Sequence, residues 1–176
     1  MINFGWPILF LFLSALSYAA WVVKKEKKTF LKNPIPYKIG PFFLNIPKWW
    51  SPVENKKNQI IFERKDSKYD WRATFKVIKD TAEFKSLDEL LIHWVKNLKI
   101  IFDPESSDIN FKNNLNNLEL IQVGGTATED GIDRIYYDIA ILKSNQDIII
   151  CESKSSVLNG AVEGPYFEEV IGMIST

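Results

Sequence analysis

One cysteine, Cys151, and one histidine, His93, leave several chemistries without material. A lone thiol closes no intramolecular disulfide, and no cysteine follows the apolar N-terminal run as a lipid-attachment site would require. It fits a reducing compartment. A Cys/His zinc site would have to join these two distant residues, so neither a zinc nor any other cofactor is expected. Excess charge is missing as well, with 22 basic against 22 acidic side chains. That balance hides an asymmetry. Residues 1–32 hold five lysines and one acid, Glu26, which leaves the remainder at −4. A mildly acidic domain is a poor ligand for phosphate backbones, so nucleic acid is not an expected partner. Internal repeats and low-complexity tracts are absent, while aromatic residues are plentiful enough for a packed core.

Charge is also missing from the whole stretch Ile2–Val23, read INFGWPILFLFLSALSYAAWVV. At about 1.5 Å per residue such a run forms a helix able to cross a hydrocarbon core of about 30 Å. Trp6 and Trp21 stand near its two ends, where indole rings favour the headgroup level. Lys24, Lys25, Lys27 and Lys28 follow at once, and no lysine precedes the run. The positive-inside rule puts those lysines and the domain behind them in the cytoplasm, with the short N-terminus outside. They also suit anionic lipid, at roughly 1 kcal/mol each. Two other readings compete. A signal peptide would use Ser17-Tyr18-Ala19 as its small-x-small site, remove residues 1–19 and export the domain. A buried core helix would have to be apolar on every face. The division expected is a transmembrane anchor at 1–23, a basic linker at 24–36 closed by Pro34-Ile35-Pro36, and a soluble α/β domain at 37–176.

Within that domain the hydrophobic period changes several times. Tyr37–Ile46 reads as a strand, with Phe42, Leu44 and Ile46 on one face and Pro47 ending it. Trp49 and Trp50 fall outside it, one ring plugging the end of the core. Gln59–Arg64 and Trp71–Ile78 read as antiparallel strands joined by a turn at Lys65–Lys68. Ser86-Leu87-Asp88-Glu89 is a capping box. The apolar residues Leu87, Leu90, Leu91, Trp94, Val95, Leu98 and Ile101 follow it at helical spacing, up to Asp103-Pro104. His93 lies off that stripe. Residues 102–117 are polar and read as a loop. Leu118–Thr128 reads as a strand bent at Gly124-Gly125, and Glu129–Gly131 as a turn. Asp133–Leu142 and Ile148–Ser153 are strands around a five-residue turn, and Gly164-Pro165 opens a final helix.

Symmetric pairing about that five-residue turn would set Asp138 opposite Glu152 and Tyr136 opposite Lys154. Two carboxylates side by side are unfavourable in a plain sheet. The stretch Ile148–Lys154 resembles the Glu-x-Lys strand of restriction-endonuclease-like enzymes. This implies Mg²⁺ held by Asp138 and Glu152, with Lys154 activating water, as the alternative function. The plainer reading is a polar patch in which Arg134 and Lys154 neutralise the two acids.

The order of elements resembles the PsbP/Mog-type family of small α/β/α domains. Three segments carry the likeness: Tyr37–Trp49, an opening strand ending in Pro-x-Trp; Ser86–Leu90, which starts the first helix; and Tyr166–Thr176, the closing helix. The resemblance implies an α+β fold, an antiparallel sheet flanked by helices as an α/β/α sandwich, behind the transmembrane helix. It implies a binding or assembly module without catalytic residues, like that family's photosystem extrinsic subunits, Ran-binding import factor, envelope proteins and effector chaperones. The function expected is a membrane-tethered scaffold that acts through membrane lipid and a protein partner.

Overall fold

The computed structural model describes residues 5–65, 70–80, 84–106 and 108–176. Two compact units divide the chain, Met1–Pro34 and Ile35–Thr176. The first holds α1, Gly5–Lys32, 28 residues and about 42 Å long. Its length and composition suffice to cross a membrane, and its most apolar window has no buried side chain. Tyr18 and Trp21 lie 6.0 Å apart, and Lys25 Nζ sits 4.9 Å above the Trp21 ring one turn on. The basic stretch expected to begin a linker continues the helix instead. Lysine and glutamate are good helix formers, and the break comes only at Asn33, which Pro34 keeps from the helical region.

The second unit opens with a hairpin, β1 (Ile35–Ile39) and β2 (Phe42–Ile46). A single strand was expected here. Gly40 adopts φ +55° at the first position of the two-residue loop Gly40-Pro41, which folds the segment back on itself. Phe42, Leu44 and Ile46 are buried on one face as the alternation predicts. Then follow β3 (Trp50–Lys56), β4 (Gln59–Arg64), β5 (Arg72–Lys79), α2 (Leu87–Asn97), β6 (Ile100–Phe102) and β7 (Asp108–Leu115). The chain closes with β8 (Leu118–Glu129), β9 (Asp133–Ser144), β10 (Asp147–Ser155) and α3 (Val157–Gly172). An antiparallel sheet runs β3-β4-β5-β10-β9-β8-β6, with β7 also on β8. The β4–β5 pairing is the expected one, and the turn residues 66–68 lie outside the described residues.

Helices cover both faces, which makes an α+β sandwich. Ile148, Ile149, Ile150 and Cys151 are all buried because β10 lies mid-sheet. Under α2, Leu90 and Leu91 pack with Ile121, Ile139 and Ile150. On the opposite face Trp50 lies 4.3 Å from Trp71, and Phe75 lies 5.8 Å from Phe62 and 6.1 Å from Phe167 of α3. Trp50 plugs the core as expected, although it begins a strand. That strand carries Pro52 and a bulge, features tolerated at a sheet edge.

Three further boundaries differ from expectation. Ser86 caps α2, accepting from the Glu89 N–H at 3.3 Å. Lys99 at φ +55° then ends the helix, and Ile100–Phe102 pairs with β8 instead of continuing it. The asparagine-rich segment is strand β7, closed onto β8 by Asn116 and Asn117 at φ +52° and +65°, a two-residue turn that asparagine suits. Gly164-Pro165 sits inside α3, which begins at Val157, so Glu168 and Glu169 are not at its positive end. Asp70 secures the start of α3, accepting from the Ser156 N–H at 2.9 Å and Asn159 Nδ2 at 2.6 Å.

Glu163 of α3 is fully buried, ion-paired with Arg64 of β4 and accepting from Trp50 Nε1 at 3.0 Å. Removing one partner of a buried pair strands the other charge. Arg64→Met should therefore cost about 3–5 kcal/mol in denaturant unfolding, and Arg64→Met with Glu163→Leu should recover most of that loss.

Candidate functional site

Register decides what the two central strands can do. Asp147 pairs with Ser144, so β9 and β10 are joined by the two residues Asn145-Gln146, with Asn145 at φ +34°, instead of by five. The hairpin is thereby shifted one residue from the symmetric pairing, and a one-residue shift exchanges faces. Asp138 opposes Ser153, and Glu152 opposes Ile139. Asp138 consequently faces α3, whereas Glu152 and Lys154 face α2. The carboxylate pair required for a Mg²⁺ centre is separated by the sheet, which removes the geometric basis of the nuclease reading. Among the described residues, no group of three or more His, Cys, Asp or Glu side chains is placed to hold a metal.

The four patch residues divide accordingly. Glu152 accepts hydrogen bonds from Trp94 Nε1 of α2 at 3.2 Å and from Tyr137 Oη. Burial, followed by the charge of Glu152, pushes the Tyr137 hydroxyl well above the usual phenol range, so it stays a donor. Lys76 Nζ lies 5.1 Å from the Trp94 ring. Lys154 pairs with Glu129, and Arg134 with Asp103 at 3.1 Å. Glu152 and Lys154 line one small cavity of about 150 Å³ with Glu129 and Tyr137. These charges are matched locally. His93 is exposed, 2.8 Å from Asn97 Nδ2, and Cys151 is buried with its thiol pushed well above the usual range by burial and then by Glu152, which makes it unreactive.

Asp138 is different. It is 2% exposed, and its Oδ2 has no hydrogen-bond partner. A Cβ on Gly124 of β8 would overlap its Oδ1, and a Cβ on Gly164 of α3 would lie 3.4 Å from its Oδ2. The carboxyl thus occupies the room that two glycines leave. Gly160, one turn before Gly164, lies against the Tyr136 ring in the same way. The two glycines bring α3 close to β9 at the cost of helix propensity, about 1 kcal/mol each, and Pro165 adds about 3. Burial, followed by the negative Glu168, pushes Asp138 up to about 7.

A groove of about 740 Å³ opens between α2 and β6. Leu91, Val95, Ile100, Phe102 and Val123 form its floor and walls, while Lys96, Lys99 and Asp130 stand at its rim. Ile92 and Ile101 beside it are 67% and 63% exposed. The groove follows from the turn at Lys99, which directs Ile101 out of the α2 stripe that helical spacing had assigned it. The β-branched pair Ile100-Ile101 was the available signal for a strand.

No protein-family model and no curated protein sequence matches the chain. Solved structures resemble it at low identity. Cyanobacterial PsbP (CyanoP) from Synechocystis sp. PCC 6803 superposes with a TM-score of 0.59 at 9% identity, over 81% of this chain and 91% of that one. A protein of Bacteroides thetaiotaomicron VPI-5482 gives 0.51 at 17% identity over 79% of this chain, which spans only 47% of that protein. PA94 of Pseudomonas aeruginosa, a protein of unknown function, gives 0.50 at 10% identity over 82% of this chain and 97% of that one. At these identities the likeness concerns the fold, an α/β/α sandwich resembling PsbP.

The structural role of Glu152 has a direct consequence. Glu152→Leu should destabilise the domain by about 1–3 kcal/mol, since Tyr137 Oη loses its buried acceptor. Combining it with Tyr137→Phe should return part of that loss in the same denaturant titration.

Proposed function

We propose that this chain is a membrane-tethered, non-enzymatic binding domain of the PsbP/Mog type that engages a protein partner through the groove between α2 and β6. The observation that carries the reading is that groove, an open apolar surface with Ile92 and Ile101 exposed at its side. Large exposed aliphatic side chains around a concavity suit a partner's apolar helix face. Two lysines against one aspartate at the rim favour a partner helix with an acidic flank. The ion pair between Lys99 and Asp130, 2.8 Å long and exposed, is weak enough to exchange for such a contact. The fold likeness to CyanoP supports the family assignment. The resemblance implies assembly instead of catalysis.

The anchor is α1, supported by its length, its exposed apolar surface and the Trp21–Lys25 contact at the expected interfacial level. Lys24, Lys25, Lys27 and Lys28 orient the domain to the cytoplasm.

Both halves can be tested in cells. The full chain should resist carbonate extraction and retain its N-terminal mass, whereas cleavage after Ala19 would identify a signal peptide and an exported domain. A photo-crosslinking residue at position 101 should trap one discrete protein. Ile92→Asp should reduce that adduct at least tenfold without changing Tm, and an adduct insensitive to Ile92→Asp would reject the groove as the docking surface.

A further inference from the structure

We propose that Asp138 is a proton-operated latch on α3, holding the helix down while protonated and loosening it once ionised. The carboxyl lies between the backbones of Gly124 and Gly164, with Oδ2 directed at α3 and without a hydrogen-bond partner. The protonated acid fits this space at the modest cost of an unpaired hydroxyl, whereas a carboxylate there keeps a buried Oδ2 that no donor meets. No hydrogen bond reaches Oδ2 from the groups around it. From β8 it meets glycine, and from β10 the neutral Ser153 stands opposite, its Oγ accepting from Trp71 Nε1 at 2.9 Å. From β9 the Tyr136 phenol packs beside it, its Oη and Asp138 Oδ2 each 3.4 Å from where a Cβ on Gly164 would stand. From α3 come three acids: Glu163 is committed to Arg64, Glu168 raises the affinity of Asp138 for its proton, and Glu169 is partly exposed.

The helix is built to respond. Gly160, Gly164 and Pro165 weaken its own hydrogen-bonded ladder directly above Asp138, so its docking depends on contacts with the sheet. Segments of this kind open at lower free energy than the strands beneath them. When α3 lifts, Asp138 is solvated and returns to its ordinary value of 3.8, against about 7 when covered. The docked state therefore binds the proton more tightly. Docking is strongest below about pH 4, weakens as pH rises, and reaches its floor once pH passes about 7. The proton goes to solvent, and Phe75 loses the cover of Phe167.

Hydrogen exchange on the full-length protein in detergent tests this. Between pH 5 and pH 7, with intrinsic exchange rates corrected, protection across 157–172 should fall by about fiftyfold relative to β9 and β10. Asp138→Asn should abolish that dependence. A fall shared equally by helix and strands, no fall at all, or a fall that survives in Asp138→Asn would overturn the latch. If Asp138→Asn does not fold, Glu168→Gln, on an exposed position, replaces it. The pH at which protection levels off should then move down, and an unmoved profile would overturn the proposal.

Discussion

The turn Asn145-Gln146 governs what each face of the sheet carries. With two residues between Ser144 and Asp147, β9 and β10 pair so that their inward and outward sets alternate in step. Tyr137, Ile139 and Ile141 join Ile148 and Ile150 beneath α2, and Asp138 and Ala140 join Ser153 and Cys151 beneath α3. Lengthening the loop to the symmetric five would have put Asp138 and Glu152 on one face and exchanged the aliphatic faces of one strand. The burial of both faces therefore specifies the register strongly, and the separation of the two acids is a consequence of packing the core.

The same constraint sorts the polar groups inside the domain. Glu163 projects from the buried side of α3 with a guanidinium and an indole N–H to meet its charge, and Glu152 sits beneath α2 with a phenol and an indole N–H. In each case an aromatic donor comes from an element that also packs the core, so tertiary packing and polar satisfaction reinforce each other. At Asp138 they diverge: glycines supply the volume, and Oδ2 has no hydrogen-bond partner.

Much of the sandwich was legible in the sequence. Alternation marked β4 and β5, and the capping box marked the start of α2, because both signals are local. The segments that escaped were those whose conformation is decided elsewhere. β3 carries a proline and polar side chains, which an edge strand tolerates because it pairs on one side only. β7 looks like an asparagine-rich loop until β8 is there to receive it. The first half of α3 contains Asn159, Gly160 and Gly164, poor helix formers that stay helical because Asp70 caps the start and β9 accepts the glycine face. Among the site residues, Glu152 and Lys154 were found for a role they do not share with Asp138, and the groove was missed because Ile101 continues the helical period of α2.

Helical period and strand pairing compete at Ile100–Phe102, and the outcome shapes the surface. Had the helix continued, Ile101 would have joined the α2 stripe and the face against the sheet would have closed. Lys99 in the left-handed region instead returns the chain to β8, where Ile100 is buried opposite Glu129 and Ile101 is turned outward. A single lysine with positive φ is unfavourable locally. Its exposed contact with Asp130, itself at φ +51°, offsets little of that cost. The compensation comes from the three-residue pairing of β6 with β8, which holds the groove open beside α2.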